Sequence, residues 1–271
     1  MKYIIAIAVV LAALGFHPES RDVLKSLPEK SLTALNQIAF TKDIGVTGVH
    51  FLSEDEVRGA LPLNQSVFWW LINSQKVVEG IRKNRYVASA TSSPCSDFIV
   101  DAWGCFNIRV VEHEPKYIVK NGSAGWIASS EGAYLRPFFD GEDNVEDLAQ
   151  RYGPLTIING LATDGTSPDL VNVRFEYVRS TINVIEHEVG KWISEADFSG
   201  NGELTVLLSN PDLRARFAYT DSDWGALKES TTRLRTLLEE VKGREASIEL
   251  IDLAYQKLAV VKKFAVPEEN K

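Results

Sequence analysis

The chain has 271 residues, 45% of them hydrophobic and 24% charged, with a net charge of -8 and a pI near 5.2. That is ordinary globular composition with material for one or two cores, and the acidic balance speaks against the basic face of a nucleic-acid binder. The two cysteines, Cys95 and Cys105, do not form a Cys-x-x-Cys, so neither a thioredoxin-like site nor a zinc ribbon is suggested.

After Met1 and Lys2 an apolar run extends from Tyr3 to Phe16, followed by the polar His17-Pro18-Glu19-Ser20-Arg21. The run is shorter than the roughly 20 residues of a spanning helix. It suits a secretory h-region with Ala13-Leu14-Gly15 as cleavage site, and it suits a retained signal anchor as well. In both cases Lys2 before the run sends the rest of the chain outward. Export would place Cys95 and Cys105 in an oxidising compartment, where a disulfide persists. Residues 17–43 read as a polar juxtamembrane stalk.

A compact unit is expected over residues 44–115. Ile44 to Val49 is β-branched and glycine-punctuated, as a strand requires. Ser53, with Glu56 three residues on, forms a capping box that starts a short helix through Val57 to Leu61, and Pro62 stops it. Val67, Trp70, Leu71, Ser74, Val77, Val78 and Ile81 recur at helical spacing, so a second helix reaches about Lys83. Tyr86–Thr91 and Cys105–Val111 are strand-like. In the latter Phe106, Ile108 and Val110 alternate with Asn107 and Arg109, which predicts one buried face. The order is strand, helix, helix, strand, strand. Trp70 is expected in the core, while Trp69 fits either the core or an exposed aromatic patch for a partner. Cys95 and Cys105 fall between neighbouring strands, where a disulfide would staple a hairpin end.

A second unit is expected over residues 116–264. Trp126–Leu135 reads as two strands around Glu131-Gly132, a polar loop crosses Asp140–Glu146, and Leu155–Ile158 is apolar and β-branched. Ser167-Pro168 is an N-cap and N1 pair. After it Val171, Phe175, Val178, Ile182, Ile185 and Val189 repeat in steps of four and three, the pattern of a long amphipathic helix. Leu204–Ser209 and Ala215–Tyr219 look like strands, and Leu227 to Val241 like another helix. Ile248–Leu253 and Leu258–Phe264 form a closing strand pair, and residues 265–271 are a loose polar tail.

Chemistry is sparse. Asp197-Phe198-Ser199-Gly200-Asn201-Gly202 looks superficially like a calcium loop, but Leu208 stands where the bidentate acid belongs. A polar hairpin turn is the better reading. Glu186-His187-Glu188 points in different directions around a helix and reads as a solvated face. On a strand, His113 faces away from Glu112 and Glu114. No nucleophile elbow, phosphate-binding loop or dinucleotide fingerprint occurs, so no catalytic residue, metal, cofactor or small-molecule substrate is expected.

Taken in order, Val46-Thr47-Gly48-Val49, Leu52-Ser53-Glu54-Asp55-Glu56-Val57, Asn84-Arg85-Tyr86-Val87-Ala88-Ser89-Ala90 and Ile108-Arg109-Val110-Val111-Glu112-His113-Glu114-Pro115 resemble the POTRA domain of the FtsQ/DivIB family of bacterial division proteins. The last is similar to the family's V-x-E-R-x-P, with His113 in place of Arg. Trp126-Ile127 through Leu135 resembles its W-L-V-D-x-x-G. Ile251-Asp252-Leu253-Ala254-Tyr255 through Lys262 resembles its I-D-L-R-Y … A-V-K, with Ala254 in place of Arg. The resemblance covers about residues 44–264 and implies an α+β protein: residues 1–16 as an uncleaved anchor, a βααββ POTRA domain, and a mixed β-sheet domain with two helices. It implies a non-catalytic scaffold, spanning the inner membrane once, with its bulk in the periplasm at the division septum. Such a scaffold binds FtsB/FtsL-like coiled-coil proteins by β-strand addition. The partner edge would comprise Tyr255, Lys257, Leu258, Ala259, Val261, Lys262 and Lys263. This edge also belongs to the last strand before the tail, which no later strand need cover. The rival readings are a POTRA-bearing export or outer-membrane assembly factor, and an exported enzyme with a non-local site.

Overall fold

The computed structural model describes residues 43–264, apart from 64, 66, 96–104, 163–165, 200–201, 210–212, 219–223, 245–246 and 256–257. The Tyr3–Phe16 run, the stalk up to residue 42, Lys257 and the tail lie outside the described residues. The protein is α+β, and the described residues form five helices and two mixed sheets. It divides between His113 and Glu114 into two compact units.

The first unit runs β1 (Asp43–Thr47), α1 (Glu54–Gly59), α2 (Val67–Ile81), β2 (Val87–Pro94) and β3 (Cys105–Glu112). Its sheet has the order β1-β3-β2, with β1 parallel and β2 antiparallel to the central β3. The capping box at α1 forms as its sequence dictates. Ser53 Oγ accepts the Glu56 amide at 3.2 Å, and the Glu56 carboxylate accepts the Ser53 amide at 2.7 Å. The alternation in β3 is equally literal, with Phe106, Ile108 and Val110 all buried against the helices. Trp70 is fully buried and stacks on Phe106 with ring centroids 5.4 Å apart, while Trp69 packs partly buried against the same cluster. A disulfide joins Cys95 to Cys105 across the β2–β3 pair, with Cα atoms 5.5 Å apart. Gly48 has φ +82, and a side chain there would run into the Val110 carbonyl, so β1 can leave the sheet only through glycine.

Glu112 has a role that its local sequence conceals. Its carboxylate accepts three successive backbone amides of the β1–α1 loop: His50 at 2.8 Å, Phe51 at 2.7 Å and Leu52 at 2.9 Å. Hydrogen bonds to an ionised acceptor are the strong ones. Glu112→Ala is therefore expected to destabilise the protein by about 3 kcal/mol, with Glu112→Gln losing less. Urea denaturation of the full-length variants measures both.

The second unit contains β4 (Pro115–Asn121), β5 (Ala124–Ser129), β6 (Tyr134–Phe139), α3 (Val145–Tyr152), β7 (Thr156–Asn159), α4 (Pro168–Val189), β8 (Ile193–Phe198), β9 (Glu203–Leu208), β10 (Leu213–Ala218), α5 (Trp224–Glu240), β11 (Ile248–Asp252) and β12 (Val260–Lys263). The nine strands form one sheet in the order β12-β11-β10-β9-β8-β7-β4-β5-β6. Ser167 caps α4 with Pro168 at its first turn, and Gly190 ends it in the left-handed conformation. Phe175, Val178, Ile182 and Ile185 of α4, with Leu227 and Leu234 of α5, share one core with Ile158, Ala196, Val206, Ala215 and Ile251 of the sheet. The helices thus cover one face of β7 to β11.

Three expectations need correction. Among the described residues the second unit has three helices, not two, because the segment read as a polar loop turns at Asn144 into α3, whose Leu148 and Tyr152 are buried. Pro115, placed at the end of the first unit, opens β4 of the second. Glu186 does not sit on a solvated face. It accepts Lys116 Nζ at 2.7 Å and the Ile193 amide at 3.2 Å, tying α4 to both β4 and β8, because the α4 turn that carries it packs through buried Ile182 and Ile185. β8 and β9 pair antiparallel, and the Ser199 amide donates to the Glu203 carbonyl at 2.8 Å where the two strands meet.

Candidate functional site

A sheet that does not close has two edges, and each edge presents unpaired backbone groups. In the nine-stranded sheet the edges are β6 and β12, and they differ sharply.

The β6 edge is sealed from within. Asp140 donates its amide inward to Ser123 O at 2.9 Å, so strand alternation turns Phe138 and Arg136 inward and Pro137 and Phe139 outward. Pro137 has no amide hydrogen, and Arg136 Nη1 donates to its carbonyl at 3.1 Å. The Phe139 amide donates to Asp143 Oδ2 at 3.0 Å, and the Phe139 carbonyl accepts the amides of Glu142 and Asp143. A hydrogen bond from Arg136, together with the Phe139 amide, holds the Asp143 carboxyl below the usual carboxylate range despite its burial. The seal is thus an ionised one.

The β12 edge is open. Phe264 donates inward to Ser247 O at 3.1 Å, so Lys262 also faces β11, and Val261 and Lys263 direct their amides away from the sheet. No described strand pairs on that side. Leu258 (65% exposed), Phe264 (56%), Tyr255 (55%) and Val260 (49%) concentrate large apolar surface in and around this one short strand.

Register decides where these side chains lie. Val260 stands opposite Asp252 and Lys262 opposite Leu250, while Asp252 and Leu250 stand opposite Arg216 and Arg214. Directly opposed residues share a face, so Val260 and Lys262 lie on the face away from α4 and α5. Val261 stands opposite Ile251 and Ala215 and packs, with Ala259, partly buried against the core.

Of the residues singled out from sequence, Tyr255, Leu258, Lys262 and Lys263 are exposed around the open edge. Lys262 is paired with Glu249 at 2.9 Å. Ala259 and Val261 do not offer side chains to the edge; they turn toward the core. Val260 and Phe264 take that place; period-two alternation groups them with Leu258, and register with β11 decides which face that group takes.

The turn that delivers β12 is held by two arginines distant in sequence. Arg216 of β10 ion-pairs with the buried carboxylate of Asp252, and Asp252 Oδ1 accepts the Ala254 amide at 3.0 Å. Burial alone would raise the Asp252 carboxyl, but the Arg216 hydrogen bond and the Ala254 amide outweigh it and hold it below its ordinary value. A depressed carboxylate stabilises the fold above its unfolded pKa of about 4 and loses that contribution as pH falls through the lower folded value. Asp252→Asn is therefore expected to melt well below the wild type at pH 7 and to converge with it as pH falls through the lowered folded value. Melting curves across that range measure the difference. From α5, Arg233 holds the other side of the turn.

Among the described residues no three His, Cys, Asp or Glu side chains gather as a metal group, and no described helix is long and apolar enough to cross a membrane. No family model matches the chain, and no curated protein matches it significantly.

Proposed function

We propose that this chain is a non-catalytic scaffold of the FtsQ/DivIB type, tethered to the bacterial inner membrane by residues 1–16. In this reading its extracytoplasmic domains link early and late division proteins, and it binds FtsB/FtsL-like coiled-coil partners by strand addition. The observation that carries the reading is the contrast between the edges of the nine-stranded sheet. One is blocked at Pro137 and Phe139, whereas the other leaves outward amides at Val261 and Lys263 beside exposed Leu258, Val260 and Phe264. A sheet that protects one edge and leaves a hydrophobic one bare has a strand to receive. The βααββ order of the first unit, with strand order β1-β3-β2, supports the POTRA reading of residues 44–115.

The test is a photo-crosslinking residue at Lys263 in the full-length protein in its own host. Ultraviolet light should yield an adduct with an FtsB-like protein, and depletion should give undivided filaments. Loss of envelope proteins on depletion, with division intact, would instead favour an export or assembly factor.

A further inference from the structure

β12 is four residues long and mostly exposed. Its own attachments are the ladder to β11, the exposed Lys262–Glu249 ion pair and the partly buried Ala259 and Val261. A short outer strand of this kind belongs to the low-stability end of a fold, where local opening outruns global unfolding. Partner addition needs the strand ordered beforehand, because a frayed template must first be ordered at the expense of affinity.

One side chain answers that need. Arg233, half-buried on α5, donates from Nη1 to the carbonyls of Tyr255 at 3.2 Å and Leu258 at 3.0 Å. Its Nη2 donates to Ser230 Oγ at 2.9 Å, one helical turn back, which fixes the plane of the guanidinium. The two carbonyls bracket the approach to β12, so a single cation on a rigid helix fixes both sides of it. Only a planar, multidentate donor serves two acceptors and an orienting hydroxyl together; a lysine ammonium has the charge without the fork.

We infer that Arg233 is a positioning residue that keeps β12 an ordered, docking-ready edge. Its use in partner capture rests on the strand-addition reading, but its action on β12 does not.

The test is amide hydrogen exchange on the full-length chain, comparing wild type with Arg233→Ala, Arg233→Lys and Arg235→Ala. Arg235 lies on the same helix, and its ion pair among the described residues is a long one, 3.8 Å to Glu188, so it controls for the charge change. In Arg233→Ala the Lys262 and Phe264 amides should exchange about tenfold faster or more, while Val206 and Phe217 in the core strands stay as in wild type. Arg233→Lys should fall between, and Arg235→Ala should match wild type. Capture of the FtsB-like protein should drop by a similar factor in Arg233→Ala. Unchanged exchange at Lys262 and Phe264, or a uniform acceleration that includes Val206 and Phe217, overturns the inference. If wild type captures no FtsB-like protein, the strand-addition reading fails, and the exchange pattern still decides the role of Arg233.

Discussion

Substituting Val261 by proline is expected to abolish strand capture, weakening it about a hundredfold or more, while the protein stays folded. The position follows from backbone alternation. Val261 turns its amide away from β11, so proline there removes an outward donor without deleting an inward ladder bond. Its side chain rests partly buried against the core, and proline remains apolar in that place. A lost backbone hydrogen bond leaves the partner's carbonyl unsatisfied at about 1–3 kcal/mol, and the ring obstructs the approach of the neighbouring chain. Proline at Ala259 is the weaker experiment, because Ala259 precedes the strand, which begins at Val260. Co-purification and the melting temperature should be measured together. Full binding by a folded Val261→Pro protein would move the interface away from this edge.

Trp70→Ala is expected to cost the first unit about 4 kcal/mol. The indole is fully buried, stacks on Phe106 and belongs to a core built with Ile108, Val77 and Ile81. Its removal leaves a void that a three-stranded sheet under two helices has little material to fill. The ring nitrogen Nε1 is buried and has no hydrogen-bond acceptor among the described residues, so the indole contributes through packing and not through a polar contact. Trp70→Phe should therefore lose less than half as much as Trp70→Ala. Denaturant unfolding of the full-length chain, followed by near-ultraviolet circular dichroism, separates the two variants.

Local signals in the sequence specify much of this architecture. The capping box at Ser53 and Glu56, the alternation of Phe106, Ile108 and Val110, and the Ser167-Pro168 start of α4 each encode a structure within a few residues. β4 lacks such a signal, because Tyr117, Ile118 and Val119 are all buried. A central strand covered on both faces shows no alternation. α3 is hidden for the opposite reason: in Val145–Tyr152 only Leu148 and Tyr152 are buried, so its composition resembles a loop. The edge was legible as the last strand of the chain, but its facing was not. Which side chains it exposes depends on register with β11 and β10. The seal on β6 depends on Asp143 and Arg136 meeting across a turn, and Glu112, Arg216 and Arg233 act on segments between 22 and 62 residues away.

The sealing of β6 also limits how copies of this protein can associate. A head-to-tail filament needs a donor edge and an acceptor edge on every subunit, and the nine-stranded sheet offers one edge, not two. Between nine-stranded sheets, association through β12 therefore terminates: either one foreign strand occupies it, or two copies meet about a two-fold axis and occlude each other. Growth beyond that point finds no second open edge on the nine-stranded sheet. Stoichiometry at this edge is fixed at one, and a self-paired dimer would be a competitor of the partner.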